Sequence, residues 1–474
     1  MKKINIVLIF AISICTAGLF SCKKAVEGYN TDPNNPLDAD AITMLTGIEV
    51  GNMTVQEGEL ARIAGMWSGY FVGQQQQYQA FHQYLIIARN FDDAWRMIFS
   101  GVLKNDRLMK AKALELNNLR LVGVAQVIEA NLMGTAADLW GDVPFSQAYS
   151  DNYPNPAYDP QATVYADVQD LLDSAISNLG SNAFVDFSQR DVQFAGNMTK
   201  WIQTAYTLKA RYYLHTREYE KALDAAGHGI SNMANNWLAP HNSSARGTYN
   251  LYYQFFALDR PAWMDADGAF APALLNAAAA QYRGNAKTVE KARFKYMYSS
   301  ATNPNYTSKG FFYQTVSFPL ASYRENMLIL AEADARVNGF AAGLSRLNNY
   351  RSWMAGGGYL GSDYLIPGDY KYDAYVAADF DAGGMENAGA SALTPARALL
   401  REILEERYVS FIGQIEGFND LRRNFKDQDI CVPVPPNAGS QFPQRFLYSQ
   451  EEVDLNKSIP SPIPSLFTAT PVNE

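Results

Sequence analysis

The chain is 474 residues long, with 39 lysines and arginines against 48 acidic residues and a formal net charge of −9. An acidic chain without a basic run is poorly suited to nucleic acid or anionic lipid headgroups, and three cysteines offer no disulfide framework. Hydrophobic residues make up 48% of it, enough to bury a large core without covalent staples.

The N-terminus begins with Lys2 and Lys3, continues as an apolar run over residues 4–20, and reaches Ser21-Cys22. A positive start, a greasy stretch and a small residue before the cut describe an export signal. Leu19-Phe20-Ser21-Cys22 resembles a bacterial lipobox, whose cysteine becomes the acylated first residue of the mature protein. Residues 1–21 are expected to be a signal peptide, with Cys22 lipidated and its membrane contact made through that anchor. The leader holds two lysines and no acid, so its removal takes the charge from −9 to −11. Residues 22–40, which contain Asp32-Pro33-Asn34-Asn35-Pro36, read as a turn-rich spacer. No linker divides residues 41–474, which are expected to form one domain, and no later stretch reaches the roughly 18 apolar residues of a spanning helix.

Helical periodicity then dominates. Residues 103–141 carry Leu108, Ala111, Leu114, Val122, Ala125, Ile128 and Leu132 at three- and four-residue spacing. Residues 163–180 place Val168, Leu171, Leu172, Ala175, Ile176 and Leu179 on one face and end at Gly180. Residues 201–213 and 219–230 read as a helical hairpin, 323–337 and 340–351 as a second, and 395–411 as a last strong helix. Ala222, Ala226, Ala331, Ala333 and Ala335 put small residues where paired helices must approach, as tetratricopeptide-type stacking requires. The expected fold is mostly α: TPR-like helix pairs in a superhelical scaffold, with few short strands. Two long insertions, residues 237–310 and 355–390, are rich in aromatics, which argues for order and function.

Several segments together resemble one family. Residues 29–36 (Tyr-Asn-Thr-Asp-Pro-Asn-Asn-Pro), 139–148 (Leu-Trp-Gly-Asp-Val-Pro-Phe-Ser-Gln-Ala) and Tyr158-Asp159-Pro160-Gln161 are similar to the first parts of the SusD/RagB group of Bacteroidetes outer-membrane lipoproteins. Trp140 stands where that group usually has Tyr. Residues 201–211, 325–333, Glu405-Glu406-Arg407-Tyr408 with Arg422-Arg423, and 443–456 resemble its later segments in the same order. The resemblance implies a nutrient-binding protein, facing the cell exterior, that acts as the lid of a SusC-like TonB-dependent transporter. Its ligands would be oligosaccharides or, in some branches, peptides. Many surface-exported lipoproteins of these bacteria carry acids just after the cysteine, whereas Lys23 and Lys24 follow Cys22 here and Glu27 is the first acid.

Sugars present flat CH faces and rings of hydroxyls, which aromatic platforms and planar amides recognise. One stretch offers both: on a helix, Trp67, Tyr70, Gln74, Gln77 and Tyr78 would fall near one stripe. In the first insertion Tyr252, Trp263 and Tyr313 are the matching aromatics, in a region of the resembled family that often lines the ligand face. Trp95, Trp140 and Trp201 lie in strongly periodic helices and read as core. Catalytic, metal and cofactor constellations are not evident. Adjacent Glu405 and Glu406 point to different helix faces and would not flank a glycosidic bond. The four histidines lack metal-ligand spacing, Gly356-Gly357-Gly358 lacks the Lys and Ser/Thr of a phosphate loop, and Asp265-Ala266-Asp267-Gly268 is half a calcium loop. Cys431 reads as a structural thiol. An anchored glycoside hydrolase, built from carboxylates distant in sequence, and a purely structural lid are the rival readings.

Overall fold

The computed structural model describes residues 39–150, 152–389 and 392–474; the expected signal peptide, Cys22 and all of the spacer but Ala39 and Asp40 lie outside them. α1 (Ala41–Glu57) and α2 (Glu59–Trp67) meet at Gly58. The helix expected to continue through residue 78 ends at Trp67. The chain turns at Gly69, whose φ is +71°, forms the short β1 (Val72–Gly73), and resumes as α3 (Gln76–His82). A Cβ at Gly73 would fall 1.9 Å from the Tyr78 carbonyl oxygen, so only glycine lets the chain double back here. The single stripe of Trp67, Tyr70, Gln74, Gln77 and Tyr78 is therefore not formed.

The long periodic stretch after residue 103 splits into α4 (Lys104–Glu115) and α5 (Leu119–Trp140). Asn118 caps α5, its side chain accepting from the Leu121 amide. Nineteen of the 22 residues of α5 are buried, which makes it the central helix, packed on α4 and on α6 (Gln161–Leu179). Both expected hairpins are present: α7 (Met198–His215) with α8 (Tyr219–Gly227), and, after the first insertion, α9 (Tyr323–Val337) with α10 (Phe340–Ala355). α9 and α10 approach so closely that a Cβ at Gly343 would lie 2.3 Å from that of Ala335. α11 (Pro395–Ser410), capped by Thr394 with Pro395 at its first turn, and α12 (Ile415–Arg423) complete the scaffold.

The fold is mostly helical, and its strands are short antiparallel pairs; β1 joins Met264–Asp265 in the first insertion. One continuous core runs through most of the molecule, with smaller ones beneath α7–α8–α9 and α9–α10–α11. Much of the aromatic content of the first insertion is spent inside. Phe71, Tyr252, Phe256 and Phe312 pack with ring centroids 4.9 to 6.0 Å apart.

Candidate binding site

The first insertion reaches back to the segment after α2. Val72 pairs with Asp265 and Gly73 with Met264. The Gln74 amide donates to the Trp263 carbonyl at 2.8 Å, and Gln74 Nε2 donates to Asp265 Oδ1 at 2.9 Å. Trp263, half-buried, lies 6.3 Å from the Tyr78 ring, and the exposed Arg260 guanidinium stands 4.9 Å over its indole. Gln75, Gln76 and Gln77 are exposed beside it. Sequence positions some 190 residues apart thus form one face, with an indole and a row of amides at its centre.

A cleft of about 280 Å³ lies in this region, lined by the C-terminal turn of α1, the start of α2, and Leu251, Gln254, Phe255 and Asp259. Arg62 anchors it: its Nε donates to the Tyr78 hydroxyl at 2.8 Å while its guanidinium lies 4.6 Å over Phe255. Glu59, Asp93 and Asp259 also line the cleft. Burial raises the Glu59 carboxyl above its usual range; Arg62 opposes this and Asp93 adds to it. A second cleft, of about 470 Å³, includes Val72, His82, Phe270, Gln281 and Asn437. Burial lowers the His82 imidazole below its ordinary value, which favours its neutral form there.

Of the expected contact residues, Gln74, Gln77 and Trp263 come together here. Tyr313 is half-buried and packs edge-on against Tyr253 at 6.2 Å. Four expectations are corrected: Trp67, Tyr70, Tyr78 and Tyr252 are at most 2% exposed. Their polar atoms are used internally. Trp67 Nε1 donates to the Phe81 carbonyl, the Tyr70 hydroxyl to that of Tyr408, and the Tyr252 hydroxyl to that of Gly413. The fold-back at Gly69 and Gly73 turns Tyr70 and Tyr78 inward, Trp67 lies on the buried face of α2, and Tyr252 packs among Phe71, Phe256 and Phe312. Arg62, Phe255 and Arg260 were not anticipated; the aromatic sequence around Phe255 was visible, but nothing local marks Arg62.

Two clusters of buried charge elsewhere are internally matched. Arg283 contacts Glu290, Glu402, Glu405 and Glu406, so the adjacent pair Glu405-Glu406 is drawn onto one guanidinium. Asp138, His215 and Glu416 place ligand-type atoms within 4.8 Å of one another. Both ring nitrogens of His215 already face these carboxylates, at 2.7 and 3.0 Å. Arg211 lies 3.6 Å from Glu416, and Arg422 donates to the Asp138 carbonyl. Those cations supply the charge that a metal would bring. In the half calcium loop, Asp265 Oδ1 accepts from Gln74 and from the Asp267 amide.

Residues 33–247 match the SusD-like family model described as "Starch-binding associating with outer membrane". No curated protein matches the sequence. The chain is similar in structure to a SusD/RagB family protein from Bacteroides thetaiotaomicron, with 24% identity, a TM-score of 0.64, and coverage of 89% of this chain and 95% of that one. A SusD homologue from Bacteroides uniformis gives 17%, 0.63, 92% and 100%, and a chitin-binding SusD homologue from Flavobacterium johnsoniae 16%, 0.61, 91% and 96%. The chain is thus similar to the SusD-like family model over residues 33–247 and shares the fold of SusD-like structures over nearly its whole length.

Proposed function

We propose that this protein is a non-enzymatic, lipid-anchored outer-membrane nutrient-binding protein that captures oligosaccharides and delivers them to a SusC-like TonB-dependent transporter as its lid. The observation that carries the reading is that the half-buried Trp263, whose carbonyl accepts from the Gln74 and Gln75 backbone amides, adjoins the segment bearing the exposed Gln75, Gln76 and Gln77. An indole face takes a sugar ring while amides donate to and accept from its hydroxyls. The starch-binding description of the family and the chitin binding of the Flavobacterium johnsoniae homologue support a glycan ligand. The capture of Glu402, Glu405 and Glu406 by Arg283 fits binding rather than hydrolysis.

One observation favours peptides instead: Glu59, Asp93 and Asp259 line the smaller cleft, where an ammonium group would be welcome. Calorimetric titration with malto- and chitooligosaccharides and with a peptide digest separates the two. Glycan binding that is lost in Trp263→Ala supports the proposal, and binding confined to peptides transfers the site to the second reading. Sustained release of reducing sugar would overturn the non-enzymatic role. Co-purification of a TonB-dependent barrel with the tagged protein from its native membrane tests the partnership.

A further inference from the structure

Four stretches of chain far apart in sequence build the larger cleft, of about 470 Å³: the turn after α2, the end of α3, residues 268–281 and residues 434–437. They converge on Gly69. A Cβ there would lie 3.0 Å from both Phe270 Cβ and Val434 Cγ1, and the Gly69 carbonyl accepts from the Ala271 amide at 2.9 Å. The rim is fixed as well. The Asn437 backbone amide donates to the Tyr84 hydroxyl at 2.7 Å, and its Nδ2 to the Met66 carbonyl at 3.0 Å. The cleft is thus preformed, and its volume falls within the ~300–1,000 Å³ of small-molecule sites.

Its chemistry differs from that of the smaller cleft. No aspartate, glutamate, lysine or arginine lines it, whereas Glu59, Arg62, Asp93 and Asp259 line the other. Phe270 stands half-buried, held edge-on against Tyr408 at 6.1 Å, and the rings of Pro435 and Pro436 add CH surface beside it. The polar groups are the exposed side-chain amide of Gln281, Asn437 and the neutral imidazole of His82. His82 Nδ1 is buried without a hydrogen-bond partner among the described residues. Apolar rings beside uncharged amides suit the CH faces and hydroxyls of a neutral sugar.

The larger cleft and the Trp263 face share one border. Val72 lines the cleft, and the backbone amides of Gln74 and Gln75 donate to the Trp263 carbonyl. Asp265 Oδ1 accepts from Gln74 Nε2 and from the Asp267 amide, next to Gly268 of the cleft. From Val72 to Gln75 the chain spans at most about 11 Å, so an oligosaccharide of a few units reaches both. We propose that the larger cleft is a second subsite for the same ligand, holding neutral sugar units beyond those at Trp263, so that the protein selects long uncharged glycan chains over short ones. The inference rests on the glycan reading of the Trp263 face.

Calorimetry on the full chain with malto- and N-acetylchitooligosaccharides of three and six units tests it. The hexamer should bind about tenfold or more tighter than the trimer. Phe270→Ala should cut that advantage to about twofold, and Gln281→Ala, at an exposed position outside the core, should cut it by about threefold, each with trimer affinity unchanged. Trp263→Ala should weaken trimer and hexamer alike. A hexamer no tighter than the trimer, or an advantage that survives in Gln281→Ala and in folded Phe270→Ala, overturns the subsite while leaving capture at Trp263 standing. Affinity that grows with peptide length in place of glycan length also overturns it. Silence of the parent towards every glycan fails the glycan reading itself, and the subsite falls with it.

Discussion

His215 Nδ1 lies 2.7 Å from Asp138 Oδ1, and its opposite nitrogen lies 3.0 Å from Glu416, so one imidazole joins the ends of α5 and α7 to α12. Tyr165 and Asn419 donate to the Asp138 carboxylate as well, at 2.5 and 3.2 Å. Burial alone would lower the His215 pKa, but Asp138 and Glu416 reverse that and raise it to about 9. Burial would raise Glu416, but Arg211 and His215 bring it down to about 2. A raised histidine stabilises fully below its unfolded value of 6.5 and loses that contribution as pH climbs through 9. A lowered glutamate stabilises above 4.5 and loses it on acidification towards 2. Urea unfolding should therefore show a stability plateau between these limits and a fall of up to ~3 kcal/mol on the alkaline side. His215→Gln should flatten the alkaline limb and lower the plateau by ~3 kcal/mol, since Asp138 and Glu416 lose the cation that bridges them. An unchanged alkaline slope in that variant would refute the bridge.

Trp263 and the buried tyrosines should separate cleanly by substitution. Trp263→Ala removes the half-buried indole, and its glycan affinity should fall by about tenfold or more, equivalent to ~1.4 kcal/mol. Tyr252→Phe deletes a hydroxyl that reaches the Gly413 carbonyl inside the core. Its cost should appear as ~1 kcal/mol of stability with affinity unchanged. Calorimetry beside thermal unfolding measures both.

Ser322 caps α9, its hydroxyl accepting from the Glu325 amide. Ser322→Ala should cost ~1 kcal/mol. Glu325 also receives Arg211, with Nε to Oε1 at 2.6 Å and Nη2 to Oε2 at 2.8 Å, so the cap helps to aim a buried ion pair. A denaturant midpoint indistinguishable from that of the parent would contradict the assignment.

Gly343 permits the close packing of α9 on α10. Gly343→Val drives a side chain into Ala335, whose Cβ lies only 2.3 Å from where the new Cβ would stand, and should destabilise by ~1–3 kcal/mol. Gly339→Ala, at a position of positive φ that meets nothing within 4 Å, isolates the backbone contribution. Thermal unfolding of the two variants side by side measures the difference.

The helical hairpins were legible because their apolar spacing and polar turns are local properties: residues 323–337 were delimited to the residue, and 219–230 ran three residues past Gly227. The split at Asn117 and Asn118 was missed because apolar periodicity continues across it. The failure at Trp67 has the same origin. Spacing counted through Gly69 and Gly73 assumes a helix that those glycines allow the chain to leave. Exposure could not be read either, since Tyr78 and Gln77 are neighbours in sequence yet one is core and the other surface. The Arg62–Tyr78–Phe255 arrangement depends on a contact between segments almost 200 residues apart, for which no local pattern exists.

The seam between β1 and the first insertion has a consequence for how ligand preference can change. The stretch matched by the family model ends at residue 247, whereas Gln254, Phe255, Asp259, Arg260 and Trp263 all follow it. These side chains meet the earlier half of the site at the two-residue pairing of β1 with Met264–Asp265 and at the Arg62–Phe255 and Tyr78–Trp263 contacts. The exposed or half-buried positions at that seam, Gln254, Asp259, Arg260 and Trp263, can thus be rewritten while the buried Tyr252, Phe255 and Phe256 keep their packing, so a new diet is open to the protein without a new fold.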